Sequence, residues 1–168
     1  IFEINEGDIT NVESVRFVGN QKINDDTLSS VIKTKESAWW RFLSDDDVYD
    51  PDRLNYDIAL LRKFYLTEGY ADFRVLSSSA ELTPNKKRFF ITFSINEGKR
   101  YRVDNVSVNA NLRGLKVEEL SDNVIIQKGD WYDVEIVEKV VDKLTHKIGE
   151  LGHAFVDVRP KIKRDRKT

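Results

Sequence analysis

Apolar residues recur along this chain at two spacings, one of helices and one of strands, and the helical pattern occurs twice. Leu54, Ile58, Leu61 and Tyr65 stand at i, i+4, i+7 and i+11, the stripe of an amphipathic helix. Ahead of it Asp50 can accept the free N–H groups of a first turn, and Pro51 suits the first helical position. Behind it Gly69 suits the left-handed residue that ends a helix. Adding 83 to each number gives Val137, Val141, Leu144 and Ile148, preceded by Tyr132-Asp133 and followed by Gly152. A start signal, a stripe and a stop signal that recur at one offset predict two copies of one module.

Period-two alternation marks the strands. Phe89, Ile91, Phe93 and Ile95 form the strongest such run, with Phe90, Thr92 and Ser94 opposite. Burial of each of those four side chains is worth roughly 1.5–3 kcal/mol, which predicts this run as the centre of the sheet. Residues 12–18 alternate as a strand, with Val15 and Phe17 on one face and Arg16 on the other, and Gly19-Asn20 turns the chain. Asn24-Asp25-Asp26 supplies a cap and first-turn acids for a short helix holding Leu28, Val31 and Ile32. After the long helix, Ala71, Phe73 and Val75 begin a strand that runs less regularly through Ser77-Ser78-Ser79 to Leu82. Thr83-Pro84-Asn85-Lys86-Lys87 is the hairpin connection to the central strand. Each complete module reads strand, helix, helix, strand, strand, an α+β fold.

The second copy starts with a strand carrying Val103, Val106 and Val108. A weaker helix is expected at 117–124, a long one at 134–151, and a second strand with Ala154, Val156 and Val158. Phe93-Ser94-Ile95-Asn96-Glu97-Gly98 repeats the wording of Phe2-Glu3-Ile4-Asn5-Glu6-Gly7 at an offset of 91, so residues 1–7 read as the last strand of a preceding module. The offsets 91 and 83 differ by eight, which places about eight extra residues of the first module near Trp39-Trp40. At the offset of 83 the second module's central strand would begin near position 172, beyond Thr168. The expected divisions are a remnant strand at 1–7, a complete module at 8–98 and a module without its last strand at 99–168. The chain opens inside a strand-like run and is read as a piece of a longer protein.

Composition narrows the function. Hydrophobic residues at 40% and charged ones at 33% exclude whole-chain disorder. A net charge of −2 gives no overall attraction to nucleic acid or anionic lipid. Cysteine is absent, which excludes disulfides and thiolate metal sites. No apolar run approaches the roughly 20 residues of a membrane-spanning helix. Asp45-Asp46-Asp47 lacks a calcium-loop pattern and reads as a solvated acidic loop. His146 and His153 lack the spacing of a zinc protease helix. No nucleophile context, phosphate loop or cofactor motif is present, so neither catalysis nor a cofactor or metal is expected. The basic tail of Arg159, Lys161, Lys163, Arg164, Arg166 and Lys167 reads as an exposed strand face. Nucleic-acid binding through it is the weaker alternative. Of Trp39 and Trp40, one is expected to cover the core and the other to face a partner.

The most suggestive feature is the second strand, which pairs with the third on one side only. Val75, Leu76, Ser77, Ser78, Ser79, Ala80, Glu81 and Leu82 therefore either offer unpaired backbone groups to another chain's extended segment or form an idle edge blunted by a bulge at the serines. Pro160 of the second copy corresponds to Ser77, which keeps its N–H.

The residues Trp39-Trp40, Tyr49, Leu54, Asp57, Leu61-Arg62, Tyr65, Gly69-Tyr70-Ala71 and Leu82-Thr83-Pro84 closely resemble the polypeptide-transport-associated (POTRA) domains of the BamA family of outer-membrane assembly factors, the third such domain above all. Phe17-Val18-Gly19-Asn20 resembles their opening strand-to-turn signature, and the second copy is similar to the fourth domain. The resemblance implies a three-stranded mixed sheet, third strand central and second strand at the edge, covered by two antiparallel helices. It implies a place on the periplasmic face of the outer membrane, ahead of a C-terminal membrane β-barrel. It also implies a scaffold that binds lipoprotein subunits of the assembly machinery and unfolded outer-membrane proteins, with partner docking at Val75, Leu76 and residues 80–82. Modules of a related translocator or of a divisome protein are the alternative within the same class.

Overall fold

The computed structural model describes residues 11–36, 50–84, 87–110, 115–153 and 155–166. In chain order the elements are β1 (Asn11–Val18), α1 (Asp25–Val31), α2 (Pro51–Thr67), β2 (Arg74–Leu82), β3 (Arg88–Asn96), a 3₁₀ helix (Val117–Asn123) and α3 (Val134–Glu150). The chain divides into two units, Ile1–Tyr65 with Asp72–Gly98, and Leu66–Ala71 with Lys99–Thr168.

In the first unit the alternating run of residues 89–95 is the middle strand, in the sheet order β1-β3-β2. β1 runs parallel to β3 and β2 antiparallel to it. The central position follows from the stripe: Ile91, Phe93 and Ile95 are all buried, and a strand flanked on both sides hides more apolar surface than an edge strand. Phe17 lies opposite Phe93 in the register and stacks on it with ring centroids 5.6 Å apart. Tyr65 from α2 stacks on Phe73 at 4.1 Å, so the helix stripe and the entry to β2 share one core. β2 begins at Arg74, later than the alternation from Ala71 suggests, because Ala71 and Asp72 form a turn and Phe73 anchors it.

Both helices of this unit start at the expected caps. The Asn24 side chain accepts from the Thr27 N–H at 2.8 Å, and the Asp50 carboxylate accepts from the Asp52 N–H at 2.9 Å. Gly69, beyond the end of α2, has φ of 96°.

Asp57 lies among the apolar positions of α2 and is fully buried. Its carboxylate accepts from the backbone N–H groups of Lys33 at 2.6 Å and Thr34 at 3.2 Å, just past the end of α1. One side chain of α2 thus satisfies the backbone that leaves α1. At the offset of 83 the second copy has Val140. Asp57→Ala is expected to cost about 2–4 kcal/mol, because the Thr34 N–H stays buried without an acceptor. Asp57→Val, the residue of the second copy, should cost as much. Urea unfolding of the two variants checks this, and a wild-type midpoint for Asp57→Val would refute it.

The second unit is built around Leu120, Val140, Leu144 and Ile148. Val108, Leu115, Val124, Ile126, Val156 and Val158 pack against that cluster. α3 is capped by Asp133, which accepts from the N–H groups of Glu135 and Ile136. Val137 and Val141 of the expected stripe are only half-buried, whereas Val140 is buried. Val140, Leu144 and Ile148 form one i, i+4, i+8 ridge, and that ridge takes the contact. The weaker helix is a 3₁₀ helix, and its N-cap residue Lys116 makes no side-chain capping bond.

Neither expected strand of this unit forms a ladder. Residues 103–108 and 155–158 carry no strand pairing, and an isolated bridge joins Arg102 to Trp131. In the first unit β1 and β2 each bond to β3, and among the described residues of the second unit no element stands in the place of β3. Two guanidinium groups lie over the Trp131 ring, Arg100 at 4.2 Å and Arg102 at 3.8 Å from its centroid. Burial pushes the Tyr132 hydroxyl above the ordinary tyrosine range, against the opposing charge of Arg164. The tail residues Arg159, Lys161, Lys163, Arg164 and Arg166 are exposed.

Candidate functional site

β2 is an edge strand, and its hydrogen-bond parity states which of its groups face outward. The Thr83 N–H donates to the Arg88 carbonyl at 2.8 Å. In an antiparallel ladder, residues that exchange bonds alternate with residues whose N–H and C=O point away. Leu82 lies opposite Phe89, Glu81 opposite Phe90, Ala80 opposite Ile91, Ser79 opposite Thr92, Ser78 opposite Phe93 and Ser77 opposite Ser94. Counting back from Thr83, Glu81, Ser79 and Ser77 bond inward to β3. Leu82, Ala80 and Ser78 turn their backbone groups outward. A register shift between Val75 and Ser77 sets Leu76 in a bulge. Val75, opposite Ile95, continues the strand before the bulge.

The eight candidate residues therefore differ in role. Ser77, Ser79 and Glu81 are exposed on the face away from the core, and Ser78 and Ala80 are half-buried on the core side. Leu76 at 61% and Leu82 at 44% exposure place an apolar side chain near either end of the edge. Serine and alanine between them leave the backbone sterically accessible, which suits a contact made through N–H and C=O groups. The bulge expected at the serines lies one residue ahead of them, so residues 77–82 remain a regular edge. Trp39 and Trp40 lie outside the described residues, as do residues 1–7 and Asp45-Asp46-Asp47.

The alternation of outward groups was readable from sequence only through the hairpin. Once Thr83 is paired with Arg88, the parity of residues 77–82 follows. The bulge has no such signal.

Other chemistry finds little support in the geometry. Among the described residues no group of three His, Cys, Asp or Glu side chains could hold a metal ion. His146 instead pairs with Glu150 at 3.3 Å, one turn along α3. A cavity of about 20 Å³ lined by Val103, Ile126, Trp131 and Tyr132 has room for a single water, and the larger hollow of about 450 Å³ at Ile162, Arg164, Asp165 and Arg166 is a shallow, open surface. No helix among the described residues is long and apolar enough to cross a membrane.

The model of the POTRA family, described as surface antigen variable number repeat, matches residues 10–98 and again 101–168. The outer membrane protein assembly factor BamA of Buchnera aphidicola is 32% identical over 169 residues, covering 98% of this chain and 27% of that protein. BamA of Neisseria meningitidis serogroup B is 25% identical over 167 residues, covering 98% of this chain and 21% of its own length. The chain thus spans about a quarter of the length of these curated relatives. Among solved structures, the POTRA3-5 fragment of Haemophilus influenzae BamA superposes with a TM-score of 0.71 at 22% identity, covering 85% of this chain and 56% of that one. BamA of Haemophilus ducreyi lacking POTRA domains 1-3 gives a TM-score of 0.57 at 16% identity, covering 80% and 23%.

Proposed function

Because the chain belongs to the POTRA family, we propose that it is a section of a periplasmic scaffold for outer-membrane protein assembly, acting by strand addition at β2 and without catalysis. The observation that carries this reading is the open edge: Ser78, Ala80 and Leu82 turn their backbone groups away from the sheet. An extended segment laid along them gains main-chain hydrogen bonds, and Leu76 and Leu82 give its side chains an apolar contact. Backbone pairing reads extension and not side-chain identity, so a single edge serves many clients with weak affinity for each. The occupants in this reading are lipoprotein subunits of the assembly machinery and unfolded outer-membrane proteins. The parent chain would continue into a C-terminal β-barrel in the outer membrane. No nucleic-acid partner is part of the proposal.

Two neighbouring prolines separate docking from folding. Ala80→Pro removes an outward donor and leaves the β2–β3 ladder intact, so partner affinity should fall about tenfold with little change in stability. Ser79→Pro removes an inward donor and a ladder hydrogen bond, and should destabilise the sheet by about 1–3 kcal/mol. Binding of the lipoprotein partner to the full-length parent, measured beside thermal unfolding, distinguishes the two. Wild-type affinity in Ala80→Pro would remove β2 as the docking edge.

A further inference from the structure

The sheet has a second edge, and among the described residues it is closed in a way that β2 is not. In a parallel pair, residues that bond to the neighbour alternate with residues that face away. Val15 faces away from β3: its N–H donates to the Glu36 Oε1 at 2.9 Å. Phe17, two residues on in the same register, shares that direction. A side chain 21 residues downstream thus occupies the position where a new strand would start to pair.

The seat of Glu36 is built. The Asp57 carboxylate holds the Lys33 and Thr34 N–H groups, and the Lys35 ammonium donates to the Ser29 carbonyl. The three residues before Glu36 are therefore anchored to α2 and α1, which aims its carboxylate at β1. Glu36 itself is exposed, and among the described residues it has no ion-pair partner. An exposed carboxylate on a backbone N–H keeps incoming strands out and can be displaced without unfolding the core.

We infer that Glu36 is a latch that shuts the β1 edge against extended polypeptide, so that this sheet accepts a strand on one side only. A sheet open on both sides would template pairing in two directions, which leads to chains of molecules and aggregation. Closing β1 leaves the opposite edge to act alone. The inference concerns a different strand from the proposed docking edge and stands or falls separately from it.

Amide hydrogen exchange and a peptide titration followed by NMR test it on the wild-type chain, Glu36→Gln and Glu36→Ala. In Glu36→Ala the Val15 amide should exchange about 10- to 100-fold faster, with less change in Glu36→Gln, whose side-chain oxygen still accepts. A synthetic peptide of alternating threonine and valine with lysines at its ends should then shift the Val15 and Phe17 signals in Glu36→Ala and not in wild type. Unchanged Val15 exchange in Glu36→Ala would overturn the latch. So would equal shifts at Val15 and Phe17 in both proteins, or silence there in both. The signals of Ser78, Ala80 and Leu82 in the same titration report on β2 independently.

Discussion

Glu97→Ala should lower the stability of the first unit by about 3–5 kcal/mol, the largest loss expected for any single substitution considered. Glu97 follows β3 and is only 6% exposed. Its carboxylate accepts from the backbone N–H of Gln21 at 2.9 Å, Lys22 at 3.0 Å and Ile23 at 3.2 Å, and from the Tyr65 hydroxyl at 3.0 Å. One side chain thus ties the turn after β1, the end of β3 and helix α2 together. Bonds to a charged acceptor contribute about 1.5–3 kcal/mol each, but they do not sum, because water can replace some of them. Gln21 and Lys22 are exposed and regain water; Tyr65 is fully buried and does not. Loss of the buried bond from Tyr65 to Glu97 therefore contributes most to the estimate. Glu97→Gln keeps an acceptor oxygen but turns an NH₂ group toward donors, and should lose about half as much. Urea unfolding followed at the amide signals of β3, with those of α3 as an internal reference, measures both. A loss under about 1 kcal/mol for Glu97→Ala would mean that water replaces the carboxylate throughout.

Gly19→Ala should cost about 3 kcal/mol, from left-handed strain plus a clash. Gly19 has φ of 97°, a conformation that L side chains adopt at a cost, and a Cβ there would collide with the Ile95 carbonyl oxygen. That oxygen belongs to the backbone of the central strand and cannot swing aside. Gly129 supplies the control: its φ is 95°, yet an added Cβ would meet nothing within 4 Å. Gly129→Ala should therefore cost only the backbone strain, about 1–2 kcal/mol. Thermal unfolding of the two variants separates strain from contact, and equal losses would show that the approach to Ile95 contributes nothing. Gly19 and Glu97 act at one place, where the turn after β1 is seated on the end of β3. The parallel β1–β3 register depends on that seat, because parallel strands have no hairpin between them to hold it.

The stripe Leu54, Ile58, Leu61, Tyr65 marks α2 in the sequence because burial of an apolar face repeats with the helical period. Asp50 and Asn24 are legible for a similar reason: a cap acts within its own first turn, so its partner is close in sequence. Asp57 is less legible. A carboxylate on an apolar face reads as an interruption, and the N–H groups that justify its burial are 24 and 23 residues away. Glu36 and Glu97 likewise accept from backbone N–H groups distant in sequence, over separations of 21 and up to 76 residues. The recurrence of Asn-Glu-Gly after each third-strand run was the one local hint that Glu97 had work to do.

Periodicity along the chain was enough for the two modules, the helix and strand order of the first and the central place of residues 89–95, since each follows from apolar positions that neighbouring turns or pleats bring onto one face. It was also enough to nominate 75–82 as an edge. Which groups on that edge point outward, where it bulges, and that Glu36 closes the opposite edge are properties of the assembled sheet. They depend on the register between strands and on carboxylates meeting backbone N–H groups from distant segments, and no local pattern in the chain encodes such meetings.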